Sequence, residues 1–537
     1  MSISLFNRYA AFTGSFILAA GSLVFLQFWT WLWPLTLIAG ALTLIGLYDL
    51  CQSRHAVLRN YPILGHIRYL VEGIRPEIRQ YLLENDDDKL PFSRNQRSLV
   101  YARAKKEDGN RPFGTLMDVY ADGYEFISHS IYPAPVGKPE NFRIDIGGPQ
   151  CAQPYSASVL NISAMSFGSL SANAIRALNR GAQMGNFAHD TGEGSISPYH
   201  LEHGGDLIWE IGSGYFGCRT DAGAFDPDSF SRQAQNARVK MIEIKLSQGA
   251  KPGHGGILPA HKVSREIALT RGVPEGQDCV SPSSHSAFST PIEMMHFIAR
   301  LRDLSGGKPV GFKFCLGHLW EFMSIVKAML VTGITPDFIV IDGAEGGTGA
   351  APVEFTDHLG VPLREGLLFV HNTLVGTNLR SLIRLGASGK VISAFDIASL
   401  LAIGADWINS ARGFMFAIGC IQSRSCHTNR CPTGVATQDP LRQRALVVSD
   451  KSERVHYFHR NTLKALAELL AAAGVRHPSE LGPHHLVRRV SQTEIRLFSQ
   501  LHQFLEPGSL LEETTGEGIY RYSWKLASAE SFNALQG

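Results

Sequence analysis

Val239 to Gly256 reads VKMIEIKLSQGAKPGHGG, an apolar run that passes directly into a glycine-rich loop. A short, continuously apolar run predicts a strand buried on both faces. The pattern recurs in SVLNIS at 158–163, NFAHD at 186–190, DCVSP at 278–282 and PVGFKFC at 309–315. It continues in DFIVID at 337–342, SLIRLG at 381–386 and DWINSA at 406–411. Amphipathic stretches separate most of them, among them STPIEMMHFIARLRDL, which opens with the Ser-Thr-Pro of a helix N-terminus. Eight strand candidates alternating with helices over about 260 residues predict an α/β fold, a (β/α)8 TIM barrel. A doubly wound open sheet is the competing arrangement, weakened because no G-x-G-x-x-G follows an early strand.

In such a barrel the chemistry lies at the C-terminal ends of the strands. AMSFGSLS follows the first candidate, TGEGS the second, SQGAKPGHGG the third, GAEGGTGA the sixth, ASGK the seventh and ARGFMF the eighth. Loops after the last two strands commonly grip phosphate. Gly386, Ser388 and Gly389 offer backbone donors there, Ser410, Ala411 and Arg412 complete the cradle, and Gly346, Gly347 and Thr348 lie beside it. Three such loops at adjacent strand ends predict a phosphorylated cofactor. Lys245 and Lys313 stand inside apolar runs, where a buried ammonium requires an anionic partner. A lysine snorkelling from a strand end is the plainer alternative.

Of eight cysteines, three fall in GCIQSRSCHTNRCPTGVATQDP at 419–440, where Cys420, Cys426 and Cys431 follow a C-x5-C-x4-C spacing. The other five stand singly and read as free thiols, which favours a reducing compartment. The clustered three predict a metal centre. Iron–sulfur groups are held by thiolates. Zinc with His427 as fourth ligand is the rival, disfavoured because Cys426 and His427 are adjacent and poorly placed for one tetrahedron.

A formal net charge of +2 argues against a nucleic-acid partner, and 53 glycines suit a loop-rich scaffold that presents backbone to a ligand. No charged residue occurs from Tyr9 through Tyr48. As helix that stretch would extend about 60 Å, roughly twice a hydrocarbon core. QFWTWLWPL lies at its middle, with Trp29, Trp31, Trp33 and Pro34 marking an interfacial belt and a turn. Two transmembrane helices are therefore expected, about 9–28 and 32–49. Arg8 on one flank and Arg54, Arg59 and Arg68 on the other place both ends, and the remaining chain, in the cytoplasm. A cleaved signal peptide ending near LAAGS and a buried helical pair are the alternatives. The expected organisation is a membrane hairpin at 1–50, a helical or irregular segment at 51–150, the barrel at 151–419, and a metal loop with C-terminal helices at 420–537. Within the second segment, RYLVEGIRPEIRQYLLEN is an amphipathic helix and NDDDKLPFSRNQR a solvated loop.

ISAMSFGSLS, TGEG, IKLSQGAKPGHGG, DGAEGGTGA and CHTNRCPTGVATQDP together resemble the glutamate synthase family, in its FMN-binding synthase domain and its 3Fe–4S signature, over roughly Ser156 to Asp439. The resemblance implies a barrel that holds FMN and reduces 2-iminoglutarate, formed from 2-oxoglutarate and ammonia, to L-glutamate. It places Ala164, Met165 and Ser166 against the isoalloxazine ring and Lys313 near its pyrimidine edge, and an anionic reduced ring would serve as counter-ion to the buried lysines. It assigns Glu193 and Lys251 to the 2-oxo acid, Arg271 to its carboxylate, and Cys420, Cys426 and Cys431 to a cluster lacking one iron. An arginine fork suits a carboxylate, and Lys251 could polarise the oxo group while Glu193 exchanges protons. The family motif carries Glu and Gln where this chain has His254 and Ile257, which opens the possibility of another oxo or amino acid as substrate. The expected partners are an electron donor such as ferredoxin or a reductase subunit, membrane lipid, and a separate ammonia-supplying amidotransferase. No N-terminal cysteine nucleophile follows Met1, and the residues ahead of the barrel look too few for a glutaminase domain.

Overall fold

Eight parallel strands close on themselves in the structure, a computed structural model that describes residues 8–86, 91–107, 109–110, 112–512 and 518–535. They are β1 (Leu160–Ile162), β2 (His189–Asp190), β3 (Leu207–Ile211), β4 (Val239–Lys245), β5 (Val310–Phe314), β6 (Phe338–Asp342), β7 (Arg384–Ser388) and β8 (Trp407–Ser410). β8 pairs with β1 and β4 with β5, so the sheet has no edge. β3, β5 and β8 are buried along their whole length, as strands covered by helices outside and side chains inside must be. The TIM-barrel expectation holds, and the open-sheet alternative falls.

Local sequence sets the helices between the strands. Ala172–Gly185 begins where the Ser171 hydroxyl accepts from the Ala174 N–H and ends at Asn186, in the left-handed region at φ 52°. Pro291–Leu304 begins with a reciprocal cap between Thr290 and Glu293, with proline in the first turn. Each cap satisfies N–H groups that a helix end leaves without partners.

Two strand expectations are corrected. DCVSP at 278–282 lies outside the barrel, where Cys279–Val280 pairs antiparallel with Ile257–Leu258. The third barrel strand is instead LIWEI at 207–211, where a buried Glu210 interrupts the apolar run and hides it from a hydrophobicity reading. SQGAKPGHGG therefore follows the fourth strand, while the loops after the sixth, seventh and eighth stand where expected.

The N-terminal end of the barrel is plugged by a hairpin of Arg143–Ile146 and Tyr155–Ser158, whose Ile146, Tyr155 and Ala157 pack on Ile208, Met241 and Trp407. The C-terminal region is not wholly helical. Val448–Ala473 packs along Ala172–Gly185 and Arg94–Lys105, but Leu486–Arg489 and Ile495–Leu497 form an antiparallel sheet with Glu125–Ile127.

Residues 1–88 form a compact unit of their own, apart from 89–537. Within it Ala10–Phe25 packs against Trp33–Cys51. Thr30–Cys51, at 22 residues with mean hydropathy 1.6, is long and apolar enough to cross a bilayer. Ala10–Phe25, at 16 residues, is shorter than the usual span, so the second transmembrane helix is not shown. Asp49, in the last turn of the longer helix, is fully buried and accepts from the Ile63 N–H and from His66 Nε2 at 2.9 Å. Of the solvated loop expected at 85–97, residues 87–90 lie outside the described residues.

Asp337 fastens the barrel base. It accepts from the Gly148 N–H at 2.7 Å, the Val310 N–H at 2.8 Å and Arg302 Nη2 at 3.0 Å, and it is 1% exposed. Asp337→Ala strands a buried guanidinium, and the expected loss is about 3–5 kcal/mol, read as a lower denaturant midpoint of the barrel unit. A midpoint within error of the parent would show that Arg302 finds another acceptor.

Candidate active site

The barrel interior changes chemistry from one layer of side chains to the next. Ala188, Ile208, Met241, Val340 and Trp407 make an apolar layer at the base. Two residues further along a strand the side chain faces the same way, and there the strands carry Asp190, Glu210, Glu243, Asp342 and Asn409. Above this charged layer, at the C-terminal strand ends, opens a cavity of about 720 Å³, within the range of small-molecule sites.

Lys313 lies in the charged layer. Its ammonium donates to Glu210 Oε2 and sits 3.2 Å from Glu243 Oε1, with all three side chains buried. Carboxylates are thus its counter-ions, and no flavin ring is needed to account for its burial. Asp190, Glu210 and Glu243 bring oxygens within 4.8 Å of one another. Burial pushes both Asp190 and Glu243 up, Glu243 well above the ordinary carboxylate value, with the neighbouring Asp190 adding to the rise. The motif reading misses these three carboxyls. The signal that finds them is the one that singles out the lysines: a charge inside an apolar strand.

Glu193, Lys251 and Arg271 come together on one side of the cavity. Lys245 Nζ stands 3.3 Å from Glu193 Oε2, so its partner too is a carboxylate of the chain. Burial raises the Glu193 carboxyl, but Lys245, Arg271 and Lys251 outweigh it and hold the group below its ordinary value. A Cβ at Gly256 would run into this carboxylate, so glycine there lets the loop close over it. Lys251 is 4% exposed. Burial lowers its amine below the ordinary value, and Glu193 acts against that lowering. Arg271 donates through Nη2 to the Phe167 carbonyl at 3.1 Å and to Ser166 Oγ at 3.4 Å, while its buried Nε has no partner. Ile257 lines the rim of the cavity and is half-exposed. His254 packs edge-on against Phe355 and takes no part in the lining.

Ala164, Met165 and Ser166 line the wall after β1. Gly346, Gly347 and Thr348 after β6, Ser388 and Gly389 after β7, and Ser410, Ala411 and Arg412 after β8 converge on the far end. Gly386 does not join them. It belongs to the base layer, where a Cβ would come within 2.6 Å of the Trp407 ring, and its glycine makes room for that indole. The Ser410 hydroxyl is committed to the Val391 carbonyl at 2.8 Å. Arg412, stacked over Phe92 at 4.7 Å, donates to the Glu345 carbonyl at 3.1 Å, and burial lowers its guanidinium to about 10. Lys390, which the sequence reading misses, lines the same end and is likewise lowered by burial and by Arg412. Two cations whose charge burial penalises define a place that favours an anion. A Cβ at Gly347 would lie 2.6 Å from the Arg412 guanidinium, so the cradle is open only to a residue without one.

Cys420, Cys426 and Cys431 line the same cavity, each as a free thiol. Gln422, Arg424 and Asn429 all take positive φ in the loop that carries them, a conformation asparagine adopts readily and the other two at a cost. A tetrahedral zinc with Zn–S near 2.3 Å needs its sulfurs about 3.8 Å apart. Among the described residues these thiols, with or without His427, are not gathered within 4.8 Å of one another. Three thiols on one loop are the donor type that iron–sulfur groups use.

A closed parallel barrel with acid–base groups, cations and glycine loops at its C-terminal strand ends is the architecture of a barrel enzyme. Residues 149–476 match the family described as the conserved region in glutamate synthase. The chain belongs to the glutamate synthase family, a family of oxidoreductases. It is 38% identical over 502 residues to the glutamate synthase large subunit-like protein YerD of Bacillus subtilis (strain 168), covering 86% of this chain and 95% of that one. It is 32% identical over 336 residues to the archaeal-type glutamate synthase (NADPH) of Thermotoga neapolitana, covering 62% of this chain and 63% of that relative, so it spans under two thirds of the relative's length. A solved mutant flavocytochrome b2 with pyruvate bound superposes with a TM-score of 0.41 at 13% identity, over 89% of this chain and 97% of that one, a likeness too loose to argue from.

Glu193 holds the Lys251 amine up, so removing its charge lets burial and Lys245 lower that amine further. In Glu193→Gln the pH profile of Lys251 labelling by an amine-reactive reagent, followed by mass spectrometry, is expected to move to lower pH. A profile unmoved, or moved upward, would show that the two groups do not interact.

Proposed function

We propose that this chain is a flavin- and iron–sulfur-dependent oxidoreductase that reduces 2-iminoglutarate, formed from 2-oxoglutarate and ammonia, to L-glutamate. The observation that carries the reading is the gathering of Lys251, Arg271 and Lys245 around the single carboxylate of Glu193 at the barrel mouth. Family membership supports it. One carboxylate against three cations leaves a positive surplus that suits a dicarboxylate. The unpartnered Nε of Arg271 supplies a buried donor for one carboxylate oxygen. Lys251 faces the 2-oxo group and favours the negative charge that grows on its oxygen as ammonia adds. Glu193 takes a proton from the incoming nitrogen and returns one as the amine forms.

FMN would be held by Ala164, Met165 and Ser166 along one wall, by Lys313 from below, and at its phosphate by the loops around Gly347, Gly389 and Arg412. The cavity size and the cationic cradle fit that group. When bound it supplies the hydride that the imine carbon receives, while a protein group supplies the proton on nitrogen. Cys420, Cys426 and Cys431 would hold a 3Fe–4S cluster, which takes single electrons from ferredoxin or a reductase subunit. The apolar helices at 10–51 anchor the chain, with the catalytic unit on the cytoplasmic side, in keeping with the flanking Arg54, Arg59 and Arg68. The ammonia arrives free or from an amidotransferase partner.

A second substrate reading rests on Ile257. Where the family carries a glutamine, this chain places an apolar side chain on the cavity rim, which suits an N-methylglutamate-type synthase or a dehydrogenase acting on a related oxo or amino acid. Anaerobic purification with a visible spectrum and an iron count tests the cofactors. Reoxidation of the reduced protein by 2-oxoglutarate plus ammonium, against a panel of 2-oxo acids and amines, tests the substrate. We expect flavin and iron together, reoxidation by 2-oxoglutarate plus ammonium, and a loss in kcat/KM of about 10²–10⁴-fold in Lys251→Ala. Protein lacking both groups after reconstitution would falsify the reading, and reoxidation by a methylated amine alone would select the second.

A further inference from the structure

Lys262 closes a short turn, Ala260–Lys262, between the hairpin strand Ile257–Leu258 and the helix Arg265–Arg271. It is 4% exposed, and its ammonium donates to the Cys426 carbonyl at 2.7 Å. Among the described residues it forms no ion pair with a carboxylate, and the partner its ammonium finds is that carbonyl. In this it differs from Lys313 and Lys245. Lys313 has Glu210 and Glu243, and Lys245 has Glu193. A buried ammonium without a carboxylate is costly unless some other anion stands beside it, and the thiols of the adjoining loop supply one when they bind as thiolates.

We infer that Lys262 is the counter-ion of the group held by Cys420, Cys426 and Cys431, and that as a positioning residue it raises the reduction potential of that group. The inference rests on the proposed cluster. A one-electron carrier gives up one electron, the cluster takes it up, and its charge becomes one unit more negative with no bond made or broken. A fixed positive charge beside the cysteine loop, in a low-dielectric site, would stabilise the reduced form more than the oxidised one. The same ammonium ties the segment that carries Ile257 and Arg271 to the cysteine loop through its bond to the Cys426 carbonyl.

The test is an EPR-monitored redox titration, with an iron count, of the anaerobically purified full chain as wild type, Lys262→Met and Lys262→Arg. Methionine keeps much of the volume and loses the charge; arginine keeps the charge. We expect the methionine variant to hold its iron and to show a more negative potential, with the ratio of reduced to oxidised cluster at fixed ambient potential at least about tenfold lower. The arginine variant should stay near the wild type. Iron lost from the methionine variant but kept by the arginine variant supports the same assignment, because charge alone separates the two. An unshifted potential in an iron-replete methionine variant overturns the inference and leaves the cluster standing, as does loss of iron from both variants. A wild-type chain that takes up no iron overturns the cluster and this inference together.

Discussion

A closed parallel barrel buries both faces of every strand, so a charge placed on a strand has to be matched inside the barrel. Lys313 is matched by Glu210 and Glu243, and this cluster sits one layer above the apolar base. Take away Glu210 and Glu243 and the ammonium would be an uncompensated buried charge, a defect that typically costs several kcal/mol. The cluster also fixes what lies above it. The floor of the cavity sets Asp190, Glu210 and Glu243 around Lys313, whereas the rim gathers Lys245, Lys251 and Arg271 around Glu193.

The far end of the cavity obeys the same rule in reverse. Arg412 and Lys390 are partly buried and, among the described residues, form no carboxylate ion pair, and each is lowered by burial. Glycine-rich loops from three adjacent strands surround them. The cavity continues from this cationic end to the three thiols, so the cationic cradle and the sulfur-lined wall belong to one continuous space.

Much of this was legible in the residues. The alternation of apolar runs and amphipathic stretches settled the barrel, and the loops after β6, β7 and β8 fell where phosphate-binding loops belong. Lys245 and Lys313 stood out as charges in apolar runs. Glu210 and Glu243, the partners of Lys313, did not, because a search for buried cations passes over a buried anion, and Glu210 lay in LIWEI, a run its own charge disguised. Gly386 illustrates the limit from the other side. A glycine beside a glycine-rich loop looks like a backbone donor, and only the packing of Trp407 from the next strand shows that it is there to leave room. DCVSP failed for a related reason. Two residues can pair as well in a small antiparallel hairpin as in a barrel, and local pattern cannot tell them apart.

The recovered third strand changes where the chemistry is carried. With β3 in place, everything from Leu246 to Thr290 becomes one excursion between β4 and the helix that leads to β5. That excursion holds Lys251, Ile257, Lys262 and Arg271 together. It is fastened to the barrel at both ends: the Leu246 N–H donates to the Lys313 carbonyl at 2.9 Å, and His285 bridges the Lys245 carbonyl and the Tyr215 hydroxyl at 2.9 and 3.0 Å. Its middle reaches the cysteine loop through Lys262. The barrel strands supply the paired charges that keep the floor fixed, while one insertion supplies Lys251 and Arg271, the rim side chain at Ile257 and the contact with the sulfur wall. The lining that this segment contributes can therefore vary without disturbing the ion pairs on which the barrel depends.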